Sequence, residues 1–318
     1  MSFVDGVRLT VSWARAWHSR CDEMKLIFSR KGFDARYGGC ASPIFEDGSI
    51  CPLPIPDRDS PTCYGRIKFK REKIAPMIEN LTRGRITAAD GAHLDPDLRE
   101  ESISRAQDWR PIFGQAGAAA SHLAKNQVGA GDLFLFFGWF RRATGVGGDI
   151  SFVRGAPNLH VIFGWMEVGA VHPVSDQLIE AMPWARAHPH FAGRERYRNN
   201  TAYVAGKRLG SLGLAMPGAG VFDRIRPELV LTQLEPYRGR SIWRLPACFE
   251  PRGRNLLTRH QAERWTPNGA TVQLRTVPIG QEFVLDVEEY PEVKDWARAL
   301  FRSQTVVQQL HIQGRRSA

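Results

Sequence analysis

The sequence predicts an α+β fold whose centre is a mostly antiparallel sheet or a barrel, surrounded by helices and long loops. Three observations carry this. Strand-like apolar runs are many along the chain and helical ones few. Turn signals such as Glu46-Asp47-Gly48 split short apolar runs. One apolar strand also occurs twice in near-copy, as Leu135-Phe136-Phe137-Gly138-Trp139-Phe140 and Val161-Ile162-Phe163-Gly164-Trp165-Met166. Two copies are too few for a solenoid, so they are expected as neighbours in one sheet.

In chain order, residues 1–23 read as an N-terminal extension without the long apolar centre of a secretory signal. Met24, followed at once by strand-like Lys25-Leu26-Ile27-Phe28, is a candidate natural start. Residues 24–303 read as a single large domain, any barrel core falling at 128–245, and 304–318 as a basic tail. The first strand is expected at 25–29, then a hairpin of 43–45 with 49–51, then an extended segment stiffened by Pro52, Pro54 and Pro56. A helix is predicted at 73–81, shortened by Pro76. Residues 87–97 read as loop, and the alanine-rich 115–126 as the best helix by propensity. Strands at 132–140 and 159–168 are followed by a helix at 175–185 capped by Ser175 or Asp176. Strands at 201–205, 229–232, 241–245 and 281–286 precede a closing helix at 292–302.

Of the 318 residues, 43% are hydrophobic and 24% charged, ordinary globular usage that favours neither disorder nor a membrane protein. No apolar run reaches the roughly 18 residues of a bilayer span. The net charge of +10 favours a polyanionic partner such as nucleic acid or a phosphorylated small molecule. Five cysteines, an odd count with no Cys-x-x-Cys pair, argue for a reducing, cytoplasmic setting. Their spacings match no common zinc pattern, and no metal or cofactor is assigned from the sequence.

Several constellations could carry chemistry. The loop Ser29 to Gly39, with Arg30, Lys31, Gly38 and Gly39, could hold phosphate on amides and cations, although it is neither a Walker loop nor a dinucleotide fingerprint. A solvated turn is the competing reading. His93, Asp95 and Asp97 lie close enough to share a metal or to act as acid and base; the alternative is a rigid turn around Pro96. His188 and His190 flank Pro189, and an extended stretch would send their imidazoles to opposite sides. Gln115 and His122 would share a helix face. Alternation puts His160, Ile162 and Gly164 on one strand face and Phe163 with Trp165 on the other. Trp139 and Trp165 are core aromatics or a base-stacking platform.

Met24 to about Phe301 resembles the bacterial and phage family called nucleotide modification associated domain 3. The stretches that carry the resemblance include Ser29 to Asp34 with Gly38-Gly39 and Ser42 to Phe45, Pro54 to Asp57, His93 to Asp97, and Gly114-Gln115 with His122. They continue through Gly131 to Arg141, Leu159 to Gly169, His188 to Phe191, Trp243 to Pro246 and Gln281 to Asp286. The resemblance implies a part in DNA base modification, acting on nucleotide or DNA beside partner proteins of such a system. A shorter stretch, Gly131-Asp132-Leu133 with Gly164 to Gly169, resembles PUA and EVE barrels, which hold modified bases. The leading expectation is a binder of a nucleotide or modified base through Ser29, Arg30, Lys31, Gly38, Gly39, Ser42, Asp57, Gln115, Trp139, His160, Trp165 and His190. The alternative is an enzyme that makes or transfers a modification, using Asp34, His93, Asp95, His122 or His188. A structural component of a modification complex is a third.

Overall fold

The long strand Leu133–Thr144 is the axis of the structure, a computed structural model that describes residues 24–302. The readings of 1–23 and of 304–318 lie outside the described residues. One edge of this strand pairs in parallel first with Lys25–Arg30 and then with Ser42–Ile44. Its other edge pairs antiparallel with the still longer Leu159–Pro173. Leu159–Pro173 pairs in turn with Ala219–Val221, at residues 164–166, and with Thr201–Ala205, at residues 168–173; Ile112–Gln115 beyond the latter forms one outer edge and Glu282–Asp286 the other. The fold is α+β with a mixed central sheet and no closed barrel. A run such as Leu133-Phe134-Leu135-Phe136-Phe137 is wholly buried because parallel neighbours and covering elements leave neither face to water.

The two faces of the sheet hold different aromatic clusters. Phe113, Phe134, Phe136 and Tyr203 pack on one, with Phe113 centred 5.1 Å from Phe134 and 5.3 Å from Phe136. On the other, Trp243 stands 5.0 Å from Phe137 and 5.6 Å from Phe28, and the helix Pro291–Ala299 closes the cluster through Trp296. Phe113 belongs to the edge strand Ile112–Gln115, so the far half of the sheet must curl back over the near half.

The expected pairing of the two Gly-Trp strands is present, but their alternation is interrupted. Ile162 pairs with Phe137 and Gly164 with Phe136, so Phe163 is an extra residue in a bulge. The pleat shifts phase there: His160 and Ile162 face with Phe137, whereas Phe163 packs on Phe136. Glycine relieves crowding at both copies. A Cβ at Gly138 would stand 2.7 Å from the Lys31 carbonyl oxygen, and one at Gly164 would stand 3.0 Å from that of Gly220.

Local differences have local causes. Gln115 ends a strand, and the helix runs Gly117–Lys125, because Gln115 pairs with Thr201 in the edge ladder. The expected strand at 229–232 makes only isolated bridges at Val230 and Thr232, after a 3₁₀ turn at Pro227–Leu229. The other helices are Ala75–Leu81, Asp176–Ala181 capped by Ser175, and the single turn Pro189–Ala192.

Gly138→Ala is expected to destabilise the protein by about 1–3 kcal/mol, since backbone rather than a movable side chain blocks the methyl. Gly148→Ala, with open space around it, should stay within about 0.5 kcal/mol. Chemical denaturation of both variants checks the difference.

Candidate metal centre

Three separate segments meet outside the edge strand Ile112–Gln115. The segment 93–97 runs along it: Asp97 exchanges backbone hydrogen bonds with Ile112 at 2.9 and 3.0 Å, and Asp95 Oδ1 accepts from the Gly114 amide at 2.7 Å. His93 lies in a two-residue strand, Ala92–His93, paired with Ile55–Pro56, which delivers Asp57 just beyond. The third segment is His188-Pro189-His190. It is not extended, as the sequence suggested: Pro189 opens the short helix Pro189–Ala192 and His188 caps it. Both imidazoles therefore turn inward, and both come within 4.0 Å of Asp95. Gly114 makes room, since any Cβ there would collide with the His190 ring.

The hydrogen bonds assign the ring nitrogens. His188 Nδ1 accepts from the His190 amide at 3.4 Å, so its Nε2–H donates to Asp95 Oδ1 at 3.2 Å. His93 Nδ1 stands 3.0 Å from Asp57 Oδ2 and donates to that carboxylate. His190 Nδ1 lies 2.7 Å from Asn200 Oδ1, and Asn200 Nδ2 donates to the His190 carbonyl, which fixes the amide's orientation. With Nδ1–H so used, the neutral ring of His93 and of His190 each carries its lone pair on Nε2. The two Nε2 atoms stand 4.0 Å from Asp95 Oδ2, and the three atoms cluster within 4.8 Å.

Charge around the cluster is arranged to keep its carboxylates ionised. The His93 hydrogen bond, and secondarily Arg196, hold Asp57 below the usual carboxylate range against the opposing effect of burial. Burial alone would push Asp95 up, but the hydrogen bond from His188, with the Lys31 ammonium nearby, outweighs it. Burial takes His190 down to about 4, so its imidazole is neutral near pH 7. Asp97 serves the backbone instead: buried and bidentate with Arg105 at 2.6 Å, it is pushed up because burial outweighs that pair.

Cavities flank the segment on both sides. One of about 70 Å³ is lined by Lys31, Leu53, Leu94, Asp95, Leu98 and Phe163. Another of about 170 Å³ is lined by Leu94, Asp97, Trp109, Trp184 and His188. Lys31 continues the group on its strand side, paired with buried Glu282 at 3.1 Å, and Gln115 also donates to Glu282. Thus Lys31, Asp57, His93, Asp95, Gln115, His188 and His190 are brought together.

The remaining candidates lie elsewhere. His122 pairs with Thr258 at 3.0 Å, on a helix that no longer contains Gln115. Asp34 accepts from the amides of Arg36 and Tyr37 at 2.7 and 2.6 Å, and Gly38 and Gly39 complete that turn at positive φ. Ser42 accepts from Leu53, Ser29 is fully buried, and Arg30 donates to the carbonyls of Val277 and Pro278. His160 is buried, its Nδ1 accepting from Trp243 at 2.9 Å. Trp165 is 4% exposed and packs on Phe222 and Phe301, which covers its faces. Trp139 is half-buried under Arg240, whose guanidinium lies 4.3 Å from the ring. Sequence reasoning missed Asn200, Arg196 and Glu282; an Arg or Asn downstream of His190 carries no signal of the pairing that a folded loop creates.

A family model for nucleotide modification associated domain 3 matches residues 25–286. The chain belongs to that family. Membership associates it with nucleotide modification systems, and the match spans every residue of the His–Asp cluster. Searches of curated proteins and of solved structures found no match. No helix among the described residues is long and apolar enough to cross a membrane.

Two buried histidines outside the cluster set an acid limit on stability. Burial, with Arg30 and Arg240 nearby, takes His160 well below its ordinary 6.5, and burial takes His260 down to about 4. The unfolded chain binds these protons first, so their contribution is fully present above about pH 6.5 and is lost as pH falls toward the folded values. Unfolding free energy measured in denaturant should drop between pH 7 and pH 5, by up to about 2 kcal/mol per histidine. A flat profile over that range would contradict the buried neutral state.

Proposed function

We propose that this chain is an enzyme of a nucleotide modification system, altering a nucleobase or nucleotide at the His93–Asp95–His190 cluster. The observation that carries this reading is the convergence of two imidazoles, held at Nδ1 by Asp57 and Asn200, on a buried carboxylate that is itself held by Gly114 and His188. Such orientation of reactive groups is what catalysis requires. A purely structural core would not need Asp57 and Asn200 to hold two rings with their lone pairs aimed at one point.

Nucleotide binding belongs to the same reading. Arg30 and Arg240 are neighbouring, partly buried guanidiniums; burial and then the Arg240 charge lower Arg30, and Asp34 offsets this in part. Cations held so close attract phosphate. Trp139, beneath Arg240, offers the remaining aromatic surface of the two sequence-nominated indoles. Lys31 follows Arg30 directly, pairs with Glu282 and lines one cavity with Asp95, so the exit of the first strand would place phosphate and reacting group on its two sides. Partner proteins of a modification system would supply or consume the product.

The test is mass spectrometry of nucleosides from DNA and from the free nucleotide pool, in cells carrying the system with wild-type protein or His93→Gln. The expected result is a nucleoside present with the wild type and missing, or replaced by its precursor, with the variant at equal protein level. Identical profiles would overturn the enzymatic reading.

A further inference from the structure

We propose that His93 Nε2, Asp95 Oδ2 and His190 Nε2 hold a divalent first-row transition-metal ion. The assignment rests on reading this cluster as the working site, but the geometry behind it is independent of any substrate. Two imidazoles and one carboxylate form a donor set that binds such ions while leaving coordination positions open for water or substrate. The three donor atoms come from two distant segments of the chain, His93 with Asp95 and then His190, and lie within 4.8 Å of one another. Ligands at about 2.1 Å from a shared ion stand about 3.0–3.4 Å apart. The two 4.0 Å separations from Asp95 need to close by about 0.6–1 Å, and the His93–His190 separation, which lies within 4.8 Å, by at most about 1.8 Å, to complete the set.

The surroundings match what a metal site needs outside its ligands. Metal-bound imidazoles donate their other ring N–H to a carboxylate or carbonyl, which fixes the tautomer and raises basicity. Here Asp57 does this for His93 and the Asn200 carbonyl oxygen does it for His190. Asp57 is itself held by Arg196 at 2.9 and 3.2 Å. Tyr197 stacks on His190 with ring centres 4.6 Å apart, which limits rotation of that ring. Asp95 Oδ1 is occupied by His188 and by the Gly114 amide, which turns Oδ2 toward the imidazoles. His188 is thus a positioning residue, its lone pair already used by the His190 amide. Among the described residues no thiolate takes part: Cys40, Cys51, Cys63 and Cys248 contribute nothing to the group. Nitrogen and oxygen donors with open positions suit Fe(II), Mn(II), Co(II) or Zn(II) rather than Cu(I).

The experiment is titration of the purified, metal-stripped full chain with Co(II), followed by visible absorption and by elemental analysis after dialysis. Wild type is expected to retain about one ion per chain and to develop cobalt ligand-field bands. His93→Ala and His190→Ala should lose stoichiometric binding. Asp57→Asn, which leaves all three ligands in place, should weaken it about 10–100-fold. His122→Ala should bind as wild type does. Circular dichroism and a cooperative melting transition establish that each variant is folded, and Asp57→Asn keeps the test decisive if an alanine variant is not. Wild type without retained cobalt, or ligand variants that bind equally well, would overturn the metal assignment even if His93→Gln abolishes modification. Conversely, stoichiometric binding with unchanged nucleoside profiles keeps the metal centre and removes the functional reading.

Discussion

The Asp95 carboxylate is the point on which the site depends. One oxygen accepts from the Gly114 amide of the edge strand and faces the His188 Nε2–H, while the other faces the lone pairs of His93 and His190. A buried carboxylate is costly unless fully partnered, and here the partners come from the sheet edge and from a helix cap. The same residue therefore ties the segment 93–97 to the sheet and gathers the histidines. Losing it would leave the Gly114 amide and the His188 Nε2–H without their acceptor, and His93 and His190 without the oxygen that their Nε2 atoms face.

That arrangement is possible only because the sheet bends. The bulge at Phe163 and the glycine at 164 let Leu159–Pro173 turn, so that Thr201–Ala205 and Ile112–Gln115 fold back until Phe113 packs on Phe134 and Phe136. Gln115 then reaches Glu282 on the opposite edge of the sheet. The edges approach without pairing, so the sheet stops short of a barrel and keeps a free edge against which the His–Asp segments lie. Fold and site share one cause, the interruptions of the long strand Leu159–Pro173 at Phe163 and again between Val168 and Ala170.

Much of the scaffold was legible because apolar runs and turn residues act locally. The paired Gly-Trp strands, the strand Thr201–Ala205 and the Ser175 cap all follow from nearest-neighbour preferences. The failures are where tertiary contact overrides such preferences. Alanine content drew Gln115 into a helix, but its ladder partner Thr201 holds it in a strand. Strict alternation assigned Gly164 to the face of His160, and one inserted residue reversed it. His93 and Asp95 were nominated from spacing alone, whereas placing His188 and His190 on opposite sides assumed an extended backbone that Pro189 converts into a helical turn. Asn200 and Arg196 act through bonds to residues far off in sequence or around a loop, and no local pattern announces them.

The central claim is that the His93 and His190 rings are held through Nδ1–H, so that in the neutral form of each Nε2 is bare and directed at Asp95. Long-range ¹H–¹⁵N correlation spectra of ¹⁵N-histidine-labelled protein, recorded metal-free and above neutral pH, read this directly. The account predicts Nδ1–H tautomers for His93 and His190 and the opposite Nε2–H tautomer for His188. Finding Nε2 of His93 or His190 protonated would contradict it, because the bond to Asp57 or Asn200 would then not set the ring and no lone pair would face the centre.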